Sequence, residues 1–244
     1  MAGGSGTRLL PLTHVVNKHL LPVYDRPMIY YPLATLAYAG VTEVLVITRP
    51  EDLGTFRHLL GDGADHGLQL QYTIQDAPRG VAEGLVIGAE FARGEPVMLA
   101  LGDNLLFLQE SLSLGPPPQR GARIFAQRKE DASEYGVVLV DDAGRPTSLE
   151  EKPKLMPQNR LAVAGFYMFD GRAADIARSV QPGPRGELDI VSVLQHYLQA
   201  NELEVCVLPQ GAWWTDVGTP DRLMQAALVQ ASGMFRGDAF SGRD

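Results

Sequence analysis

Two short stretches carry residue types that hold phosphate groups. GGSGTR, at positions 3–8, places glycines beside Arg8, and Lys18 follows in NKHLLP. Glycine amides can approach an anion closely, and a guanidinium donates paired hydrogen bonds to phosphate oxygens. The loop is neither a Walker A sequence nor a complete dinucleotide fingerprint, because the Lys-Ser/Thr pair and the third glycine are absent. Taken alone, it predicts either an anion-binding loop or a flexible terminus.

Two carboxylates stand at positions where a metal ion could be held. Asp103 closes the apolar run PVMLALGD, and Asp216 lies far away in WWTDVGT. In open parallel sheets ligands bind beyond the carboxyl ends of the strands, and Mg²⁺ prefers a few oxygen ligands from the protein. The alternative for Asp103 is a cap on a following helix. The five histidines show no metal-ligand spacing and are interpreted as incidental.

Alternating helices and strands must position these residues. Strands are predicted at 41–48, 68–75, 96–103, 122–128, 135–153 with a turn at Asp-Ala-Gly, 161–170 and 203–209, and helices at 27–40, 52–60, 81–92, 172–180, 186–200 and from about 220. Strands that alternate with helices indicate a parallel sheet with right-handed crossovers. The predicted fold class is α/β, with a Rossmann-like, mostly parallel sheet and additional antiparallel strands in the second half.

Composition restricts the kind of partner. The 244 residues are 45% hydrophobic, and their formal net charge of −8 argues against broad electrostatic binding to nucleic acid. There is no apolar run of roughly eighteen residues and no secretory signal pattern, so we expect a cytoplasmic protein without membrane association. One domain, 1–244, is predicted, with halves of about 1–114 and 115–244 that meet near GPPPQRG.

The motifs, taken in order, resemble one family. AGGSGTRL, LLPVYDRPMIYYPL, LLGDG, EEKP and RGELDI occur together with QDAPRG, GDN and WWTDVGT over essentially the whole chain. The set is similar to the sugar-1-phosphate nucleotidylyltransferases, and most closely to the glucose-1-phosphate thymidylyltransferases. This resemblance implies a nucleotidyltransferase fold with a nucleotide-binding half followed by a sugar-binding half. It also implies transfer of a thymidylyl group from dTTP to glucose-1-phosphate, with Mg²⁺ as cofactor and pyrophosphate as the second product.

The resemblance also implies roles for matching residues. Arg8 and Lys18 would be catalytic, because their charges face the reacting phosphates. Nucleotide contacts would come from Gly3, Gly4, Gly6, Thr7, Gln75, Gly80 and Asp103, with the base at Gln75 and Gly80. Contacts to the sugar phosphate would come from Tyr135, Gly136, Glu151 and Lys152, and the metal would be shared by Asp103 and Asp216. No general base is needed, since the attacking phosphate oxygen is already ionised near neutral pH.

Two departures from the family pattern keep alternatives open. GVAEG at 80–84 stands where the family commonly has GLAQA, so a UTP-dependent or other sugar-1-phosphate nucleotidylyltransferase remains an alternative. A catalytically silent, sugar-nucleotide-binding regulatory protein is the alternative from another class. Met1 stands where the family's first strand would end, so we expect a chain without that strand to lose sheet hydrogen bonds and activity. A homo-oligomer is left open, and the end-product control of longer members is not carried over.

Overall fold

The computed structural model describes residues 1–4, 6–107, 114–153, 160–183 and 186–233. Its strands are β1 (Pro22–Val23), β2 (Arg26–Pro27), β3 (Glu43–Thr48), β4 (Gln69–Ile74), β5 (Val97–Ala100), β6 (Asn104–Phe107), β7 (Ala122–Gln127), β8 (Gly136–Val140), β9 (Pro146–Glu151), β10 (Arg160–Phe169), β11 (Leu203–Val207) and β12 (Trp213–Asp216). Its helices are α1 (Tyr30–Tyr38), α2 (Leu53–Leu60), α3 (Glu83–Ile87), α4 (Ala89–Ala92), α5 (Ala173–Ser179), α6 (Ile190–Gln199) and α7 (Pro220–Ala231). The α/β class is confirmed.

Most predicted elements are present, with shifted ends. The helix predicted at 27–40 begins only at Tyr30, and Gly40 takes a left-handed φ of 82° just beyond its end, as glycine does after many helices. The helix predicted at 81–92 is two short helices separated at Gly88. Strands β6 and β12 were not predicted. Among the described residues, no helix combines the length and the apolar content needed to cross a bilayer.

The chain is divided into two compact units. The first contains the described residues of Met1–Pro78, Ala100–Pro116 and Gly211–Asp244, and the second contains those of Arg79–Leu99 and Pro117–Gln210. The units differ from the predicted halves because 79–99 groups with the second half and the C-terminal segment groups with the first. The halves themselves stay a prediction.

In the first unit, the start of the chain is tied to strand β3. β3 and β4 are parallel, and Ala2 extends this arrangement by a parallel bridge to Thr48. The Ala2 N–H donates to the Ile47 carbonyl at 2.7 Å, while the Met1 carbonyl accepts from the Gly102 N–H at 2.8 Å. Backbone hydrogen bonds therefore hold the entry to the glycine loop on two sides.

An apolar core supports the same unit. β6 and β12 form an antiparallel pair, and α7 follows β12 directly. The buried members of the core come from the glycine-loop region, β1, α1, β6, α7 and the segments next to β1, α1 and β12, and are Leu9, Leu21, Val23, Met28, Tyr31, Leu105, Phe107, Val217 and Ala226. Burial of each large apolar side chain contributes about 1.5–3 kcal/mol, so this cluster stabilises the segments on which the candidate site is built.

The second unit is built on one mixed sheet. The strand order is β11-β7-β10-β8-β9, and β5 also pairs with β10. β11 and β7 are parallel, whereas β10 is antiparallel to both β7 and β8. All residues of β10 after Arg160 are buried, as expected for a strand inside a sheet that is covered on both faces. The predicted antiparallel strands of the second half are therefore confirmed.

Candidate active site

Gly6, in the described part of the glycine loop, is held by hydrogen bonds to Thr13 and Leu9. Gly6 has a left-handed φ of 64°, and its carbonyl accepts hydrogen bonds from the Thr13 hydroxyl at 2.8 Å and from the Leu9 N–H at 2.9 Å. A Cβ atom at Gly6 would lie 2.9 Å from the Thr13 methyl group. Glycine is therefore required here for both conformation and space. The predicted residue Thr7 opens the 3₁₀ turn Thr7–Leu9 that follows.

Lys18 lies against the same loop and contacts Asp103. A Cβ atom at Gly4 would be 2.9 Å from Lys18 Cε and 3.0 Å from its Nζ, so the bare glycine leaves room for the ammonium group. Lys18 Nζ donates to Asp103 Oδ2, and the two side chains are only 13% and 17% exposed. Burial by itself raises the pKa of Asp103, but the charge and hydrogen bond of Lys18 outweigh it and leave that pKa well below its usual range. Asp103 is therefore ionised throughout the neutral range.

The Asp103 carboxylate is oriented by two further side chains. Asn104 Nδ2 donates to Asp103 Oδ1 at 3.0 Å, and buried Trp214 Nε1 donates to Asn104 Oδ1 at 2.8 Å. In the β6–β12 pair Asp216 is opposite Asn104, and the Val217 N–H donates to the Asp103 carbonyl at 2.7 Å. The two predicted metal ligands therefore come from paired neighbouring segments. The GDN motif contained Asn104, but its orienting role was not predicted.

Asp216 pairs with Arg222 and lies close to Arg8. Both of its oxygens accept from Arg222 Nη1, at 2.7 and 2.8 Å. A Cβ atom at Gly218 would lie 2.7 Å from Arg8 Nη2 and 3.2 Å from Asp216 Oδ2. The predicted catalytic Arg8 is therefore placed close to Asp216 across a glycine that leaves room for it. The sequence did not predict the part played by Arg222.

Lys18 is flanked by a buried polar network. Asn17 Nδ2 donates to Asp52 Oδ2 at 2.6 Å and to the Ala2 carbonyl at 3.3 Å, and its Oδ1 accepts from the His19 N–H at 2.9 Å. His19 Nδ1 is 2.7 Å from the same Oδ1, so this nitrogen carries the ring proton. Burial, followed by the charge of Lys18, lowers the pKa of His19 well below its usual value, which keeps the ring neutral. His19 is thus part of the scaffold of the loop, a role that its spacing did not predict.

Gln75 is the predicted base contact of the first unit. Its N–H donates to the Thr48 carbonyl at 2.8 Å, and its side chain is buried beside Gly3, where a Cβ atom would lie 3.2 Å from Gln75 Oε1. The predicted residues that this unit brings together are Gly3, Gly4, Gly6, Thr7, Arg8, Lys18, Gln75, Asp103 and Asp216. The four glycines at 3, 4, 6 and 218 each lie directly against a predicted functional side chain, which is Gln75 for Gly3, Lys18 for Gly4 and Gly6, and Arg8 for Gly218.

Gly80 belongs to the second unit and is held by backbone contacts. The Leu188 N–H donates to the Arg79 carbonyl at 2.8 Å, and the Ala82 N–H donates to the Leu188 carbonyl at 3.0 Å. Gly80 has a φ of 104°, and a Cβ atom there would be 2.5 Å from the Leu188 carbonyl oxygen. Arg79 Nε also pairs with Glu83 Oε1 at 2.6 Å. The departure from the family pattern at Glu83 therefore creates an ion pair that spans Gly80.

Gly80→Ala should destabilise the protein by about 2–5 kcal/mol, since a left-handed side chain costs about 1–2 and overpacking about 1–3 kcal/mol. Urea unfolding would measure the loss. Gly40→Ala is the matched control, because Gly40 also has a positive φ, of 82°, but no atom lies within 4 Å of its Cβ position. Equal losses in the two variants would show that contact with Leu188 is not the cause.

The predicted sugar-phosphate residues are grouped at one end of the β8–β9 pair. Gly136 is opposite Glu151, and a Cβ atom at Gly136 would lie 3.5 Å from Glu151 Oε2. The Lys152 N–H donates to the Tyr135 carbonyl at 3.0 Å, and Lys152 Nζ is 3.7 Å from Glu151 Oε1. Tyr135 is buried, and Lys129 Nζ lies 5.3 Å from the centre of its ring. Strand pairing thus brings together four residues that are up to 17 positions apart in the chain.

A family model described as nucleotidyl transferase matches residues 1–232. This match spans the glycine loop, both carboxylates and the β8–β9 residues. The chain therefore belongs to the nucleotidyl transferase family, and the resemblance found in the sequence is confirmed.

Individual relatives indicate which members of that family this chain is similar to. Proteins named glucose-1-phosphate thymidylyltransferase from Actinoplanes sp. and Neisseria gonorrhoeae are 48% and 45% identical, over 93% of this chain and 75% and 80% of their own lengths. A crystal structure assigned to the same activity, from Bacillus anthracis in complex with sucrose, has a TM-score of 0.83 at 32% identity and covers 93% of this chain and 92% of its own. A UDP-glucose pyrophosphorylase bound to UDP-glucose, at 21% identity and a TM-score of 0.78 over 95% of this chain and 96% of its own, shows the shared fold alone.

Proposed function

We propose that this protein transfers a thymidylyl group from dTTP to glucose-1-phosphate, giving dTDP-glucose and pyrophosphate. The observation that carries the proposal is the contact of Lys18 with Asp103 beside the bare backbone of Gly4. This contact places the ammonium group of Lys18 and the carboxylate of Asp103 beside glycine backbone, where a phosphate group could approach. Relatives named for this activity, 43–48% identical over 93% of the chain, support the choice of substrates.

The reaction requires charge stabilisation and positioning. An oxygen of the sugar phosphate attacks the α-phosphorus of dTTP in line, forming one P–O bond while the bond to the pyrophosphate oxygen breaks. The attacking oxygen is already ionised, so no proton has to be removed. Lys18 and Arg8 would hold phosphate oxygens and stabilise the charge that develops on them. Arg8 suits paired contacts, whereas Lys18 acts as a point charge.

We propose Mg²⁺ as the cofactor, held by Asp103 and Asp216. The residues fit this ion, because both offer carboxylate oxygens, their backbone segments are paired, and the lowered pKa of Asp103 keeps it charged. When bound, the ion would neutralise part of the phosphate charge. Asn104, through its hydrogen bond to Asp103, would keep this carboxylate in one orientation.

The remaining residues would select the substrates. The Gln75 amide can present a donor and an acceptor to a pyrimidine edge, and Gly80 would leave backbone accessible to the base. Glu151 would accept hydrogen bonds from sugar hydroxyls, while Lys152 would contact the sugar phosphate. The Arg79–Glu83 ion pair around Gly80 favours keeping UTP as the alternative nucleotide, because it alters the surroundings of a predicted base contact.

Pyrophosphate release with Mg²⁺, glucose-1-phosphate and either dTTP or UTP tests the proposal. We expect turnover with dTTP and a large loss in Asp103→Asn, which keeps the shape of the side chain but removes its charge. A clear preference for UTP would replace the nucleotide and retain the reaction. A folded protein that binds nucleotide yet releases no pyrophosphate with either would favour the regulatory alternative. A cytoplasmic location stays a prediction, and a homo-oligomer stays open.

A further inference from the structure

Arg222 binds the Asp216 carboxylate, which the proposed metal ion would also need. Its Nη1 donates to both oxygens of Asp216, and the two side chains are only 24% and 16% exposed. The position of Arg222 is set by the first turn of α7, where the Thr219 hydroxyl accepts from the Arg222 N–H at 3.4 Å. The ion pair is therefore built into the start of a twelve-residue helix and is partly shielded from water.

Cations lie against both carboxylates. Asp103 contacts Lys18, Asp216 contacts Arg222, and the Arg8 guanidinium lies against Gly218 next to Asp216. Three cations face two carboxylates, which leaves a formal charge of +1 in this group of side chains. Although the whole chain carries a formal charge of −8, a divalent cation that approaches these two carboxylates meets a group of side chains with a positive formal charge, and at Asp216 it also meets a bound guanidinium.

We propose, on the basis of the proposed function that makes Asp216 a metal ligand, that Arg222 competes with the divalent cation for Asp216. In the nucleotide-free protein the guanidinium holds the carboxylate and lowers its affinity for the ion. The negative charges of a nucleoside triphosphate reverse the local balance, so the cation is taken up together with the nucleotide. Arg222 is then a residue that sets the order of ligand binding.

Mn²⁺ binding to the nucleotide-free protein, followed by the electron paramagnetic resonance signal of the free ion, tests this competition directly. Arg222→Gln should lower the Kd for Mn²⁺ about fivefold, the equivalent of a partly exposed ion pair of about 1 kcal/mol. Arg222→Lys retains the charge but loses the planar fork, so its Kd should fall less. Arg57→Gln is the control, because Arg57 is an exposed cation of α2 in the same unit. Its Kd should equal that of the unchanged protein.

An equal Kd for the unchanged protein and Arg222→Gln, or no binding by either, would overturn the competition. Circular dichroism checks that each variant folds. If Arg222→Gln does not fold, the Kd of Arg222→Lys is compared with that of the unchanged protein instead. Asp216→Asn distinguishes the two proposals, measured as Mn²⁺ binding to the protein–dTTP complex against dTTP alone. If Asp216→Asn weakens that complex while Arg222→Gln changes nothing, only the competition fails. If Asp216→Asn binds Mn²⁺ normally, Asp216 is not a metal ligand and the proposed metal site fails with it.

Discussion

Lys18→Met should lower kcat by about 10²–10³-fold, or about 2.7–4 kcal/mol, the range found when one preorganised donor is removed from a charge-stabilising site. Methionine keeps most of the apolar stem of lysine but removes the ammonium group that lies beside Gly4 and contacts Asp103. The loss should persist with both substrates saturating, because the missing charge acts on the transition state. Steady-state pyrophosphate release would measure it.

The control for this prediction is Arg57→Met, which removes an exposed cation from α2 of the same unit and should leave kcat unchanged. Urea unfolding of Lys18→Met would separate a catalytic loss from a folding loss, since the variant leaves Asp103 without its ammonium partner. Full turnover by a folded Lys18→Met protein would remove Lys18 from the catalytic assignment.

Asp170→Ala should lower the free energy of unfolding by about 3–5 kcal/mol, as expected when one partner of a buried charged network is removed. The Asp170 side chain is 3% exposed and accepts from the Gly121 N–H at 2.6 Å, from Tyr197 OH at 2.9 Å and from Arg172 Nη2 at 2.6 Å. Arg172 is 40% exposed and keeps its contact with Glu202, so most of the loss should come from the Gly121 and Tyr197 donors.

The pH dependence of this loss has a definite sign. Burial by itself raises the pKa of Asp170, but hydrogen bonds from Arg172, Gly121 and Tyr197 outweigh it and lower that pKa. The stability that Asp170 provides is therefore complete above its unfolded pKa of about 3.9 and is lost as the pH falls below that value. The difference between the unchanged protein and Asp170→Ala should shrink over the same interval.

Urea unfolding at several pH values would measure both effects, with Asp175→Ala as the control. Asp175 pairs with Arg178 on α5 but is 83% exposed, so its loss should not exceed about 1 kcal/mol. If the free energy of unfolding falls by no more than about 1 kcal/mol in Asp170→Ala as well, the hydrogen bonds of Asp170 contribute little to the stability of the second unit.

Local patterns predicted much of the fold. The helices α1, α2 and α6 and the strands β3, β4, β7 and β10 were predicted because each is long enough for apolar periodicity to show. β6 and β12, of four residues each, were missed because so short a run has no distinctive period. β5 is equally short but was predicted from the longer apolar run PVMLAL around it. The single helix predicted at 81–92 is instead interrupted at Gly88, which lies between the two short helices.

The candidate site was predicted unevenly for a similar reason. Arg8, Lys18 and Asp103 stand in motifs, so both their chemistry and their family resemblance were visible in short stretches of sequence. Asn17 and Arg222 were not predicted, because an amide before a lysine and an arginine in the first turn of a helix usually contact solvent. Their importance comes from partners that lie elsewhere in the chain, at Asp52 and at Asp216.

The sequence by itself determined which chemical groups this protein has for binding phosphates, a metal and a sugar, and that its elements follow an α/β order. Only the tertiary structure decided which of those groups meet. The β6–β12 pairing places Asp216 opposite Asn104, next to Asp103, although more than a hundred residues separate them in the chain. The physical reason is that periodicity reports how a segment buries its own side chains, whereas the pairing of distant segments depends on backbone hydrogen bonds and packing that no local pattern contains.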